Sequence, residues 1–162
     1  MKVSEFKTAG KLITGLGAIK ALADEMTRLG IKDCAVVTDK GVSSSGLLEQ
    51  LLTLLPSSPL LIIDDIPPEP EVNIIEDKLA ILREKQVDGI IALGGGSAID
   101  SAKVLAATYD HTGPLSELFG ENTLSKRRLP LIVIPTTAGT GSEVTNIAIL
   151  SDPIAQMKKG IV

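Results

Sequence analysis

The chain has 162 residues, one His, one Cys and no Trp, and carries 16 basic against 20 acidic side chains for a net charge of −4. With 44% hydrophobic and 22% charged residues it is globular in composition, and its length suits one self-sufficient core, so residues 1–162 are read as a single domain. Phe6, Phe119 and Tyr109 are the only aromatics, and with no basic excess they exclude the stacking platforms and cationic footprint of a nucleic-acid partner.

The opening MKVSEFKTAG has no apolar run to serve as a secretory leader, which predicts a cytoplasmic protein. Ile19, Leu22, Met26 and Leu29 step by 3, 4 and 3, one stripe of a helix that ends near Gly30. Cys34–Thr38 reads as a buried strand; Cys34 has no second cysteine to pair with, in keeping with a reducing compartment. A Leu-rich helix over 47–55 is closed by Pro56, and Leu60–Ile63 forms the next strand. Glu49, Gln50, Thr53 and the two prolines interrupt this most apolar region, so no membrane partner is predicted.

Past Pro67, Pro68 and Pro70, the residues Val72, Ile75, Leu79 and Leu82 mark another helix. Gly89–Leu93 is a strand running into Gly94, Gly95 and Gly96, and Ser97–Ala107 is helical in pattern. A polar connector from about Asp110 to Arg128 leads to the strand Leu131–Ile134, the segment PTTAGTGSEVT and an apolar run Ile147–Leu150. The strands show no alternation, as expected when both faces are covered, so the arrangement is a parallel sheet with helical crossovers. The closing KKGIV ends on apolar residues with no polar tail or capping signal, as if the structure continued beyond it.

Three stretches can carry chemistry. In GIIALGGGSAIDSAK a strand ends on glycines and a helix begins, which places free amides and the positive helix end where a phosphate fits. Ser97 and Asp100 stand three apart and also suit a capping box. The spacing is neither GxGxxG, because Ile99 replaces the third glycine, nor a P-loop.

Asp39, after a strand, can accept hydrogen bonds from an adenosine ribose and repel a 2′-phosphate; it equally suits a turn or helix N-cap. Its place before the glycines is the reverse of the usual dinucleotide fingerprint. PTTAGTGSEVT is dense in hydroxyls and glycines that can hold phosphate, ribose or carboxamide, or can simply form a loop. Lys103 pairs with Asp100 on the helix surface in the plainest reading, Lys158 and Lys159 form a solvated pair, and His111 is an exposed loop residue. A single imidazole excludes metal sites that need two or three within this sequence.

TDKG at 38–41, GGGSAID at 94–100 with the following AK, and PTTAGTGSEVT at 135–145 together resemble the iron-containing (group III) alcohol dehydrogenases over essentially the whole chain. The resemblance implies an α/β fold with a Rossmann-like parallel sheet flanked by helices, equivalent to the family's N-terminal NAD-binding domain. The C-terminal helical domain, which supplies one Asp and three His to iron or another divalent metal, has no counterpart in this sequence.

It further implies that Asp39 contacts the adenosine ribose, that Gly95, Gly96 and Ser97 bind pyrophosphate with Asp100 beside them, and that Thr136, Thr137, Thr140 and Thr145 line the cofactor. Lys158 aligns with a cofactor-contacting lysine. Glu69 departs from the pattern, standing where many members have Asn. The complete protein would bind NAD(H) and a small alcohol or aldehyde, without catalytic residues in this part; the alternative is a non-catalytic nucleotide-binding or oligomerising module, the latter a homo-oligomer.

Overall fold

A computed structural model describes residues 10–121, 123, 124 and 127–162. The expected absence of a leader and Phe6 lie outside the described residues, as do parts of the 110–128 connector. Along the chain run α1 (Leu22–Leu29), β1 (Cys34–Val37), α2 (Lys40–Ser44), α3 (Leu47–Leu54), β2 (Leu61–Ile63), α4 (Val72–Glu84), β3 (Gly89–Gly94), α5 (Gly96–Ala107), β4 (Leu131–Pro135), β5 (Ala148–Asp152) and β6 (Met157–Ile161). No helix among the described residues is long and apolar enough to cross a membrane.

The first four strands form a parallel sheet in the order β2-β1-β3-β4. Every residue of β1 and β3 is buried, the condition under which a strand needs no polar alternation. Ala35, Val37, Ile90 and Ala92 face one core, closed by Ile75, Leu79 and Leu82 of α4 and Ile99, Ala102 and Leu105 of α5. Cys34, Val36, Ile91 and Leu93 face the other, closed by Leu22 and Met26 of α1 and Leu48 and Leu51 of α3. Each such aliphatic side chain taken out of water contributes about 1.5–3 kcal/mol before entropy is counted, and the two cores fix the sheet between layers of helix.

Helix starts and stops follow local chemistry. Gly30 ends α1 in the left-handed region (φ 73) while its N–H bonds back to Met26 and Thr27 carbonyls. The Asp88 carboxylate accepts from the Lys32 and Asp33 amides, clamping the turn before β1 to the start of β3. Gly89 is the point of closest approach there, since a Cβ on it would stand 2.6 Å from the buried Ile31 side chain. Gly89→Ala should therefore lower stability by about 1–3 kcal/mol, read as a reduced urea midpoint; an unchanged midpoint would show that Ile31 can give way.

Several expectations need correction. Ile147–Leu150 does not join the parallel sheet: β5 pairs antiparallel with β6, from Ala148 opposite Ile161 to Asp152 opposite Met157. The closing KKGIV is thus largely strand, with Ile161 buried. The 110–128 connector contains a 3₁₀ turn, Leu115–Leu118, whose Leu115 and Leu118 enter the α4/α5 core. His111 is half-buried rather than exposed, and its Nε2 has no partner. Lys158 and Lys159 are not a solvated pair: Lys159 bonds Asp152 at 2.7 Å and lies 5.3 Å over the Phe119 ring. That ammonium, with the Ala155 and Ile154 amides, holds the Asp152 carboxyl below the usual carboxylate range.

Candidate functional site

The order β2-β1-β3-β4 makes the chain turn to opposite sides of the sheet after β1 and after β3. Ligands of open parallel sheets bind in the crevice at the strand ends beside such a switch point. Asp39 follows β1, Gly94 ends β3 with Gly95 and Gly96 after it, and these strands are neighbours with Val37 opposite Ala92. A Cβ on Gly94 would lie 3.3 Å from Asp39 Oδ2 and 2.7 Å from the Ala98 Cβ. The acid and the glycines, in the wrong order for the usual fingerprint, are side by side because they come from adjacent strands.

Asp39 takes up the N-cap role that its spacing left open. It is the N-cap of α2, its Oδ1 accepting from the Val42 N–H at 2.9 Å, while Oδ2 faces the glycine turn. The capping-box reading of Ser97 and Asp100 is corrected: Gly95 is the N-cap of α5 and no side chain caps it. Ser97, already inside the helix, accepts from the Glu69 N–H at 3.3 Å. The first-turn amides of α5 thus face the crevice with no side-chain cap, at the positive end of a 12-residue helix.

The hydroxyl-rich loop closes over this turn. Thr136 N–H donates to the Gly94 carbonyl at 2.9 Å. A Cβ on Gly95 would stand 3.2 Å from Thr137 Oγ1, and one on Gly96 would stand 3.3 Å from Ser142 Oγ and from Thr140 Cγ2. Thr136, Thr137 and Thr140 are exposed, whereas Ser142, not singled out from sequence, is buried under the turn. Its only sequence signal was membership of the same loop.

Asp100 and Thr145 lie behind the cradle. Asp100, 7% exposed, accepts from the Ile149 N–H at 3.1 Å and from Lys103 Nζ at 3.5 Å. Lys103 is not on the helix surface but half-buried, donating also to Thr145 Oγ1 at 3.0 Å and the Ile147 carbonyl at 2.9 Å. Burial pushes its ammonium below the usual lysine range, while Asp100 and Glu143 act to raise it. Lys158, on β6, pairs with Glu69 at 2.7 Å at the mouth of the site.

The model of the iron-containing alcohol dehydrogenases matches residues 9–162, a span that includes this glycine turn, its hydroxyl loop and the neighbouring acid. The chain belongs to the iron-containing alcohol dehydrogenase family. It is 42% identical to a long-chain-alcohol dehydrogenase of Geobacillus thermodenitrificans over 85% of the chain and 36% of the relative. To the sulfoacetaldehyde reductase of Bilophila wadsworthia it is 36% identical, over 96% of the chain and 41% of the relative.

Among solved structures, 1,3-propanediol oxidoreductase superposes with a TM-score of 0.92 at 31% identity, over 99% of this chain and 43% of that one. A sulfoacetaldehyde reductase from Bifidobacterium kashiwanohense, solved in complex with NAD+, gives 0.82 at 30% identity over 90% and 39%. This alcohol dehydrogenase family chain therefore spans about two fifths of the length of the relatives it matches.

Proposed function

We propose that the chain is the NAD(H)-binding part of an alcohol dehydrogenase that, when complete, moves a hydride between a primary alcohol/aldehyde pair and the nicotinamide. The observation that carries this reading is the uncapped glycine turn of α5 beside the free Oδ2 of Asp39, at the switch point of the sheet. Residues fit the dinucleotide: Gly95 and Gly96 let the turn lie tight under Thr137, Thr140 and Ser142, where a Cβ would crowd those side chains, and the Gly96, Ser97 and Ala98 amides supply donors for a pyrophosphate. Asp39 accepts from the ribose hydroxyls, Thr136, Thr137 and Thr140 line the cofactor, and Lys158 adds positive charge. Asp100 and Thr145 act through Lys103, holding the loop and β5 in place. Bound NAD would supply the hydride-accepting ring.

Iron does not fit these residues. No group of three or more His, Cys, Asp or Glu side chains that could hold a metal occurs among the described residues, so no step of the reaction is assigned to a metal here. Calorimetry on the chain should give saturable NADH binding; none at millimolar concentration would refute the proposal. The chain by itself should oxidise neither ethanol nor propanediol when ferrous iron is added, and NADH formation in that mixture would show that a complete centre exists.

Asp39→Gly should shift the NADH/NADPH affinity ratio about tenfold towards NADPH, the size of one lost charge-assisted bond together with relief of repulsion. Glycine is itself a tolerated N-cap, so α2 loses only a few tenths of a kcal/mol. An unchanged ratio would remove Asp39 from the ribose.

A further inference from the structure

We propose that Glu69 sets the affinity of this chain for the phosphates of its dinucleotide, by holding Lys158 in an ion pair that the ligand must break. The inference rests on the placing of the pyrophosphate at the N-terminus of α5. The pair is built by the backbone on both sides. Ser151 of β5 donates its N–H to the Pro70 carbonyl at 2.9 Å and bridges to Glu71, so the β5–β6 hairpin lies along residues 70 and 71. Lys158 is the residue opposite Ser151 in that hairpin, which brings its side chain to Glu69.

Glu69 is anchored to the cradle in turn, its N–H donating to Ser97 Oγ in the first turn of α5. Its backbone is left-handed (φ 54), a conformation that favours glycine or asparagine over glutamate. Among the described residues, the other lysines nearby are committed elsewhere: Lys159 to Asp152, and Lys103 to Asp100, Thr145 and the Ile147 carbonyl. Lys158 is thus the cation placed to meet a phosphate at this mouth, and Glu69 already occupies it.

Both side chains are more than half exposed, 56% for Lys158 and 66% for Glu69, so the pair is screened and breakable. A diphosphate arriving at α5 takes the ammonium from the carboxylate and then faces that carboxylate as an unpaired like charge. Affinity is lowered on both counts, whereas an uncharged side chain at position 69 leaves Lys158 free.

The test is a double-mutant cycle with NADH and ADP as probes on the full chain: wild type, Glu69→Gln, Lys158→Met and the double variant. Both positions are exposed, so the substitutions leave the core untouched, and a melting curve for each protein checks the fold. Glu69→Gln should tighten both ligands about three- to tenfold, a screened surface pair plus relieved repulsion. Lys158→Met should weaken both, and in that background Glu69→Gln should bring back less than half of its gain on a logarithmic scale.

The same gain in both backgrounds would overturn the proposal, leaving Glu69 as a repulsive charge that does not act through Lys158. An effect on NADH with none on ADP would overturn it too, placing Glu69 at the nicotinamide. If wild type binds both ligands and Glu69→Gln changes neither, the pair has no role while the cofactor reading stands. If none of the four proteins binds either ligand, the cofactor reading itself fails and this proposal with it.

Discussion

Replacing Gly95 by valine should weaken NADH binding about a hundredfold and leave the fold standing. Gly95 is the N-cap of α5 with φ −86 and ψ −169, extended backbone that valine adopts without strain. Its Cβ would stand 3.2 Å from Thr137 Oγ1, on an exposed loop that can yield by the few tenths of an ångström required. The two methyl groups beyond that Cβ would wedge between the Thr137 side chain and the glycine turn, spreading the loop from the first-turn amides where the proposed phosphate sits. Charge-assisted hydrogen bonds contribute about 1.5–3 kcal/mol each, so losing one or two accounts for the hundredfold. Parallel calorimetry and thermal melts separate the effects: a melting temperature near wild type with lost binding supports the cradle, and retained affinity places the phosphates elsewhere.

Asp100→Ala should cost about 2–4 kcal/mol of stability, the range for removing one partner of a buried pair and orphaning a backbone donor. The Asp100 and Lys103 side chains are only 10% and 15% exposed. Without the carboxylate, Lys103 keeps its bonds to Thr145 and Ile147 but loses its paired charge, and the Ile149 N–H loses its acceptor. Asp100→Asn keeps an acceptor for Ile149 and should lose less than half as much. Urea unfolding gives the magnitude, and amide exchange should quicken first along Ala148–Asp152, the strand this carboxylate holds. A loss below about half a kcal/mol, the scatter of surface substitutions, would show that the hairpin stands without Asp100.

The parallel sheet was legible because its strands announce themselves: CAVVT and GIIAL are unbroken apolar runs bounded by turn residues, and burial on both faces is what such runs mean. The β5–β6 hairpin was not legible. MKKGI carries two lysines and a glycine, and becomes strand only because its backbone pairs with Ala148–Asp152 and Ile161 finds the core. Helix α2 has five residues, too few to show a period.

In the candidate site, the glycine turn was visible locally, but its partnership with Asp39 depends on strand order, which no local pattern encodes. Ser97 and Asp100 illustrate the same limit in reverse. Their spacing suits a cap, yet the helix starts one residue earlier, at Gly96, which puts Ser97 inside it and turns Asp100 to Ile149. Lys158 and Glu69 meet only through the hairpin that the sequence concealed.

Because Asp39 and the glycine turn meet only when β1 and β3 lie side by side, the crevice cannot exist in a chain still emerging from the ribosome with β3 unmade. Of the described residues up to Asp88, the chain holds Asp39, β1, β2 and α1 to α4, without the glycine turn that Asp39 faces. The crevice forms only when Gly89–Ala107 joins the sheet and the loop after β4 closes over it. A ligand held there would favour only the finished sheet and so resist withdrawal of its central strands.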